Sequence, residues 1–159
     1  MRVGIGYDSH RFTLGRPLIL GGVHVPFDLG LEGHSDADVV AHAVTDAILG
    51  AAALGDIGAH FPPSDARWKD ADSIELLRAA ARILEERNYQ VVNVDVSVVL
   101  EQPKLRPHVD AMRARLADAL GISPDNVSIK AKTNEQMGWV GRGEGVAGMA
   151  VALIDAVRD

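Results

Sequence analysis

Val92-Asn93-Val94-Asp95-Val96-Ser97-Val98 sets four valines in alternation with three polar residues. That period of two predicts a strand that buries one face and leaves the other polar. A half-buried strand needs a covering layer on its apolar side. Helical patterns flank it on both sides. Upstream, Asp72-Ser73-Ile74-Glu75 can cap a helix whose apolar stripe includes Ile74, Leu77, Ala81 and Leu84. Downstream, Pro107 stands where another helix would start, with Val109, Met112, Leu116 and Leu120 on one face.

Farther out, Val3-Gly4-Ile5-Gly6-Tyr7 reads as a strand, and Leu18-Ile19-Leu20 and Val23-His24-Val25 flank a Gly21-Gly22 hairpin turn. Ser35 or Asp36 can cap a helix running through Val39, Val40, Ala43, Val44, Ile48 and Leu49 toward Gly55. The stretch 56–65 holds Gly58, Pro62 and Pro63 and is expected to be irregular. Val127 to Thr133 and Val146 to Ile154 read as closing strands. This order predicts an α/β (α+β) fold: a two-layer sandwich, ferredoxin-like, with helices on one face of a mixed or antiparallel sheet. No linker, repeat or low-complexity tract interrupts it, so residues 1–159 are expected to form a single domain.

Composition narrows the chemistry. Cysteine is absent, which excludes thiolate ligands, a cysteine nucleophile and disulfides. A net charge of −6 disfavours generic nucleic-acid binding, so a phosphate-rich substrate would need metals or a few placed Lys and Arg. No run approaches the roughly 18 to 20 apolar residues of a membrane span, and the start lacks a long apolar secretory stretch. A cytoplasmic protein without membrane partners is expected.

Three patches carry candidate chemistry. In Asp8-Ser9-His10, residues two apart on a strand face the same way, with Cα atoms roughly 6.5 to 7 Å apart. Alone, such a triplet is as easily a hydrogen-bonded strand end. In the stretch 34–42, a loop leads into the first helix, and Asp38, His42 and Asp46 fall on one face by their i, i+4, i+8 spacing. A capped helix with a polar surface histidine gives the same pattern. Joined to Asp8 and His10, however, His42 completes a two-histidine, one-carboxylate set, which leaves zinc an open fourth position. The third patch spans residues 130–145, where Lys, Thr, Asn, Glu and Arg crowd four glycines, Gly138, Gly141, Gly143 and Gly145. Neither a Walker loop nor a dinucleotide fingerprint fits that spacing, and a tight turn between strands would explain the glycines.

Together these patches resemble the 2-C-methyl-D-erythritol 2,4-cyclodiphosphate synthases of the non-mevalonate route to isoprenoid precursors. The resemblance runs through GYDSHRF from Gly6 to Phe12, GGV at 21–23, HSDADVVAHAVTDAILGAAALGDIG at 34–58 and FPPSD at 61–65. It continues through NVDV at 93–96, QPK at 102–104, AKTNE at 131–135 and GRGEG at 141–145. The resemblance implies that Asp8, His10 and His42 bind zinc, and that Glu135 holds magnesium or manganese with the substrate diphosphate. It implies that the 2-phosphate of 4-diphosphocytidyl-2-C-methyl-D-erythritol 2-phosphate attacks the β-phosphorus and CMP departs. His34 and Thr133 match positions that stabilise the transition state. Asp8, His10, His34, Ser35, Asp56, Ile57, Gly58, Phe61, Pro62, Pro63, Ser64 and Asp65 match substrate contacts around the erythritol and its phosphates. Leu100, Glu101, Gln102, Pro103, Lys104, Leu105 and Arg106, with Ala131, Lys132 and Thr133, match a cytidine pocket. Asn134, Glu135, Trp139 and Arg142 match further substrate contacts. Pro63, Lys132 and Trp139 stand where some members carry Asp, Thr and Phe.

The resemblance also implies a homotrimer with active sites at subunit boundaries. The last strand agrees: Val146, Ala150, Ala152 and Ile154 lie on one face and Ala147, Met149, Val151 and Leu153 on the other, so both faces call for cover. Two other readings use the same residues: a metal-dependent phosphohydrolase, and a non-catalytic isoprenoid- or phosphate-binding module.

Overall fold

The computed structural model describes residues 1–157. Its strands are β1 (Arg2–Thr13), β2 (Leu18–Leu20), β3 (Val23–Val25), β4 (Gly30–Leu31), β5 (Tyr89–Val99), β6 (Val127–Lys132) and β7 (Gly145–Ala156). Its helices are α1 (Val39–Ala51), α2 (Ile57–His60), α3 (Ser73–Glu86), α4 (Val109–Leu120) and α5 (Gly138–Gly141), with short 3-10 turns at 66–68, 106–108 and 124–126.

The valine alternation holds from Val94 to Val98, whose even members are buried, but it breaks at Val92. There the pairing of β5 with β7 slips: Val91 opposes Ile154 and Asn93 opposes Leu153, so Val92 is an extra residue. A bulge of this kind changes which parity faces the core, and Val91 rather than Val92 is buried.

The five-stranded sheet runs β4-β1-β7-β5-β6, with β5 and β6 parallel and every other pair antiparallel. The hairpin β2–β3 stands apart as its own two-stranded sheet. The expected mixed sheet is present, but the ferredoxin-like detail is not. That pattern joins its middle strands by a hairpin. Here helix α4 joins β5 to β6, and a helical crossover is what a parallel pair requires.

Helices α1, α3 and α4 cover one face. Ile74, Leu77, Ala81 and Leu84 of α3 and Val109, Met112, Leu116 and Leu120 of α4 are all buried. Pro107 sits in the 3-10 turn that leads into α4 rather than in its first helical turn. The cap of α1 is Asp38 rather than Ser35 or Asp36. Its carboxylate receives the N–H groups of Val40 and Ala41 at 3.0 and 3.1 Å, and those of Gly21 and Gly22 at 2.9 and 2.7 Å. The glycines turn through left-handed φ values of +57° and +71°, which lets both N–H groups point at one carboxylate. Asp38 therefore belongs to the core that ties hairpin to helix, not to an open face with His42. Its burial, joined by the charge of Asp36, raises its pKa to about 6 against the pull of the backbone donors.

The opposite sheet face is bare along β1 and β7. Val3, Ile5 and Tyr7 are 68, 72 and 55% exposed, and Met149 and Val151 are each 45% exposed. Cross-strand pairing sets Ile5 beside Val151 and Tyr7 beside Met149, so these side chains form one patch. At the sheet edges, β4 has only two residues, and β6 carries exposed Lys130 and Lys132.

Candidate active site

The site begins with two glycines. Even-numbered residues of β1 face α1, and a Cβ on Gly4 or Gly6 would stand 2.1 or 1.9 Å from the carbonyl oxygens of Ala47 or Ala43. Only glycine allows the helix to lie that close on the strand. Asp8 and His10 continue the same row, and His42 leaves α1 one residue before Ala43. The short spacing brings them together: Asp8 Oδ2 lies 3.0 Å from His10 Nε2 and 3.0 Å from His42 Nδ1. The ligand atoms of all three residues lie within 4.8 Å of one another, and the two rings meet edge-on.

Protons decide what this cluster can hold. His10 Nδ1 lies 2.6 Å from the Glu32 carbonyl, which only accepts, so Nδ1 carries a hydrogen and Nε2 is the nitrogen that shares a proton with Asp8 or gives its lone pair to a cation. In the protein without metal, a shared proton binds such a set. Burial resists charge on both groups. The His10 and His42 hydrogen bonds nevertheless bring the Asp8 carboxyl down to about 2, and the Asp8 carboxylate raises His10. A divalent cation with a taste for imidazole fits the same donors in place of that proton, with one coordination position left over.

The cluster lines a cavity of about 350 Å³ that also includes His34, Ser35, Ile57, Gly58, Phe61 and Pro63. Arg16 steadies its roof by donating to the carbonyl oxygens of Gly33, at 2.6 Å, and Ser35, on either side of His34. Asp56 caps α2 by accepting from Ala59 N at 2.9 Å, and Asp46, at the end of the helical face, accepts from Ile57 N at 2.7 Å. The region expected to be irregular is thus folded into two short turns. Pro62, Ser64 and Asp65 flank Pro63 without lining the cavity, and Asp65 holds Arg67 in an exposed ion pair at 2.6 Å.

Two cavity residues escaped the sequence reading, Trp68 and Leu76. Phe61 and Trp68 meet edge-on at 5.2 Å, and the buried indole Nε1 of Trp68 has no hydrogen-bond partner. A tryptophan beside a proline-rich loop was the available signal. Leu76 gave none beyond its place on a helix.

A second cavity, of about 190 Å³, is lined by Leu100, Glu101, Pro103, Lys104, Leu105 and Arg106 with Ala131, Lys132 and Thr133. Gln102, which precedes Pro103 through a cis peptide, is the one residue of that run outside the lining. Glu101 Oε1 receives the N–H groups of Asn134 and Gln136 at 2.9 and 3.1 Å and so holds the turn that presents Glu135. Glu135 and Gln136 both adopt left-handed φ there, 52° and 61°. Glu135 is accordingly exposed, 3.3 Å from the Thr133 hydroxyl and outside the Asp8–His10–His42 cluster. Trp139 sits with His10 and Glu144 around a third cavity, and the exposed Arg142 pairs with Glu144 at 2.6 Å. Among the described residues, none lines both the metal-side cavity and the Leu100–Arg106 cavity.

The YgbB family model matches residues 1–155. A 2-C-methyl-D-erythritol 2,4-cyclodiphosphate synthase of Symbiobacterium thermophilum is 60% identical over 97% of this chain and 98% of its own length. The Salinibacter ruber synthase is 61% identical over 98% and 99%. Among solved structures, the bifunctional IspDF of Campylobacter jejuni superposes with a TM-score of 0.94 at 41% identity, covering 98% of this chain but 42% of that one. A 2C-methyl-D-erythritol-2,4-cyclodiphosphate synthase solved with CDP gives 0.89 at 39% identity, over 97% of this chain and all of its own (100%). Sequence and structure together make the chain a member of the YgbB family, the 2-C-methyl-D-erythritol 2,4-cyclodiphosphate synthases, lyases of the non-mevalonate route to isoprenoid precursors.

Proposed function

We propose that this chain, as a single domain over residues 1–159, binds zinc through Asp8, His10 and His42 and magnesium or manganese through Glu135, and cyclises its cytidine-diphosphate substrate with release of CMP. The observation that carries the reading is the convergence of one carboxylate and two imidazoles on a point inside a cavity large enough for a small phosphorylated polyol. Bound there, the cations would offset repulsion between two phosphates and make phosphorus more electrophilic. No side-chain nucleophile is required, because the substrate's own 2-phosphate attacks; the protein's task is to orient and to exclude water. His34 and Thr133 stand in the two cavity walls as donors toward charge that develops on phosphorus. Ser35, Asp56, Ile57, Gly58 and residues 61–65 surround the erythritol end. Residues 100–106 with Ala131, Lys132, Thr133 and Asn134 receive the cytidine, while Trp139 and Arg142 complete the enclosure. Relatives have been solved with CDP, which supports a cytidine nucleotide as part of the ligand.

The same reading includes a homotrimer in which one copy's metal-side cavity meets its neighbour's cytidine cavity. Two facts support it: the cavities share none of the described residues within a chain, and Val3, Ile5, Tyr7, Met149 and Val151 form a bare apolar patch. No helix among the described residues is long and apolar enough to cross a membrane, and cytoplasmic residence is part of the proposal.

Phosphorus NMR after incubation with 4-diphosphocytidyl-2-C-methyl-D-erythritol 2-phosphate, zinc and magnesium tests the mechanism. CMP with a cyclic diphosphate is expected. CMP with linear phosphates would turn the reading to a phosphohydrolase, and binding without turnover to a non-catalytic module.

A further inference from the structure

Behind the converging ligands runs a buried chain of hydrogen bonds. Ser73 opens α3 and has no exposed surface (0%). Its Oγ lies 2.8 Å from His42 Nε2, and its hydroxyl donates to Asp36 Oδ1. The Asp36 carboxylate is itself fixed, since it receives the backbone N–H groups of Ser73 and Asp38, each at 3.1 Å. Ser35 Oγ stands 3.1 Å from the same imidazole nitrogen and 3.4 Å from Ser73 Oγ.

A count of hydrogens assigns the direction of the chain. A serine hydroxyl has one proton, and a carboxylate only accepts, so the Ser73 proton goes to Asp36. Ser73 Oγ then offers His42 nothing but lone pairs, so this 2.8 Å contact, shorter than the 3.1 Å to Ser35, needs the hydrogen on Nε2. Once a cation displaces the proton that His42 Nδ1 shares with Asp8 Oδ2, 3.0 Å away, Nδ1 is left with a lone pair for the metal. His10 reaches the equivalent state through a backbone carbonyl, but His42 depends on two side chains from other parts of the fold.

We propose that Ser73, backed by Asp36, is a positioning residue that locks the tautomer and ring orientation of His42 so that Nδ1 faces the metal. The inference rests on the reading of Asp8, His10 and His42 as a metal centre. Partners of this kind orient metal-binding imidazoles, and their loss weakens metal binding by about 10- to 100-fold. Because Ser73 begins α3 and His42 lies on α1, the chain also links the start of one helix to the working face of another.

The test uses the full-length protein and its Ser73→Ala variant, which removes one oxygen from a buried position. Zinc affinity, read by competition with a chromophoric chelator, should fall about 10- to 100-fold, with cooperative urea unfolding retained. Independently, 15N-histidine spectra of the metal-free protein at alkaline pH, recorded in an Asp8→Ala background that removes the competing acceptor at Nδ1, should show His42 with its hydrogen on Nε2. Ser73→Ala should show a mixture of tautomers, since Ser35 remains as a weaker partner. Asp36→Asn should shift both readouts in the same direction and by less, and it decides the matter if Ser73→Ala does not fold. Unchanged zinc affinity and an unchanged His42 tautomer in a folded variant would overturn the proposal. The tautomer measurement needs no metal. Failure of the wild type to bind zinc would therefore strike the metal-centre reading alone, while the spectra still judge the relay.

Discussion

At the scale of the residue, the candidate metal centre consists of three donors that are individually unremarkable and are given meaning by proximity. Removal of one should be felt by the metal before it is felt by the fold. His42→Ala is expected to lose tightly held zinc and nearly all turnover while still unfolding cooperatively, and metal analysis of the purified variant checks this. Glu135→Gln should keep its zinc and need far more magnesium for half-maximal rate, because a neutral amide is a poor ligand for a hard dication; a magnesium titration reads it directly. The protons set a third expectation. The Asp8 carboxyl, lowered from 3.8 to about 2, contributes stability above pH ~4 that disappears as pH falls toward 2. His10, raised above 6.5, contributes below that value, and its contribution fades as pH rises through the raised pKa. The metal-free protein therefore gains from the pair between about pH 4 and 6.5, and zinc competes with the same protons. The zinc-induced rise in Tm should widen between pH 6 and pH 8, as measured by melting with and without chelator. The three candidate donors, which the fold brings together, were legible in the sequence as two short patches. Ser73 and Asp36 were not legible as part of the site, because their roles depend on hydrogen bonds between a loop and two helices that sequence spacing does not reveal.

Elements place those residues, and the contact of α1 with β1 matters most. Gly4 and Gly6 let the helix settle, and the next positions along the strand row then meet His42. Gly6→Ala would force a Cβ to within 1.9 Å of the Ala43 carbonyl, so the helix must move away. Overpacking of this sort costs about 1–3 kcal/mol and sometimes more. Urea denaturation should show that loss, and zinc affinity should fall with it, since the helix carries His42 away from Asp8. The sequence pattern revealed every strand but the two-residue β4, and the three long helices, whose apolar periods are long and regular. It missed the phase change at Val92, since a bulge depends on the partner strand, and Val92 looks like its neighbours. It put the α1 cap at Ser35 or Asp36 because any short polar residue before an apolar run qualifies. The choice of Asp38 depends on Gly21 and Gly22, which are distant in sequence. The parallel β5–β6 pair was equally hidden, because strand order is a property of the assembled sheet.

Across the whole molecule, one chain presents two separate cavities and an uncovered apolar patch. Ile5, 72% exposed at the centre of that patch, is the position to charge. Ile5→Glu is expected to give a monomer by light scattering, with zinc still bound and turnover lost. Zinc survives because its three donors lie within one chain. A monomer of full activity would refute the shared site. The last strand, apolar on both faces, made the need for cover on a second face legible from sequence, and Met149 and Val151 are bare on that face within the chain. The rims of the sheet add a constraint of their own. One ends in a two-residue strand, and the other carries exposed Lys130 and Lys132. At the second rim an incoming strand would lay its side chains against these lysines, and a second copy would bring the same charges. Ribbon growth by sheet extension, the path toward fibrils, is thereby disfavoured at the β6 rim, and attraction between copies is directed to the broad face, where packing can close on itself.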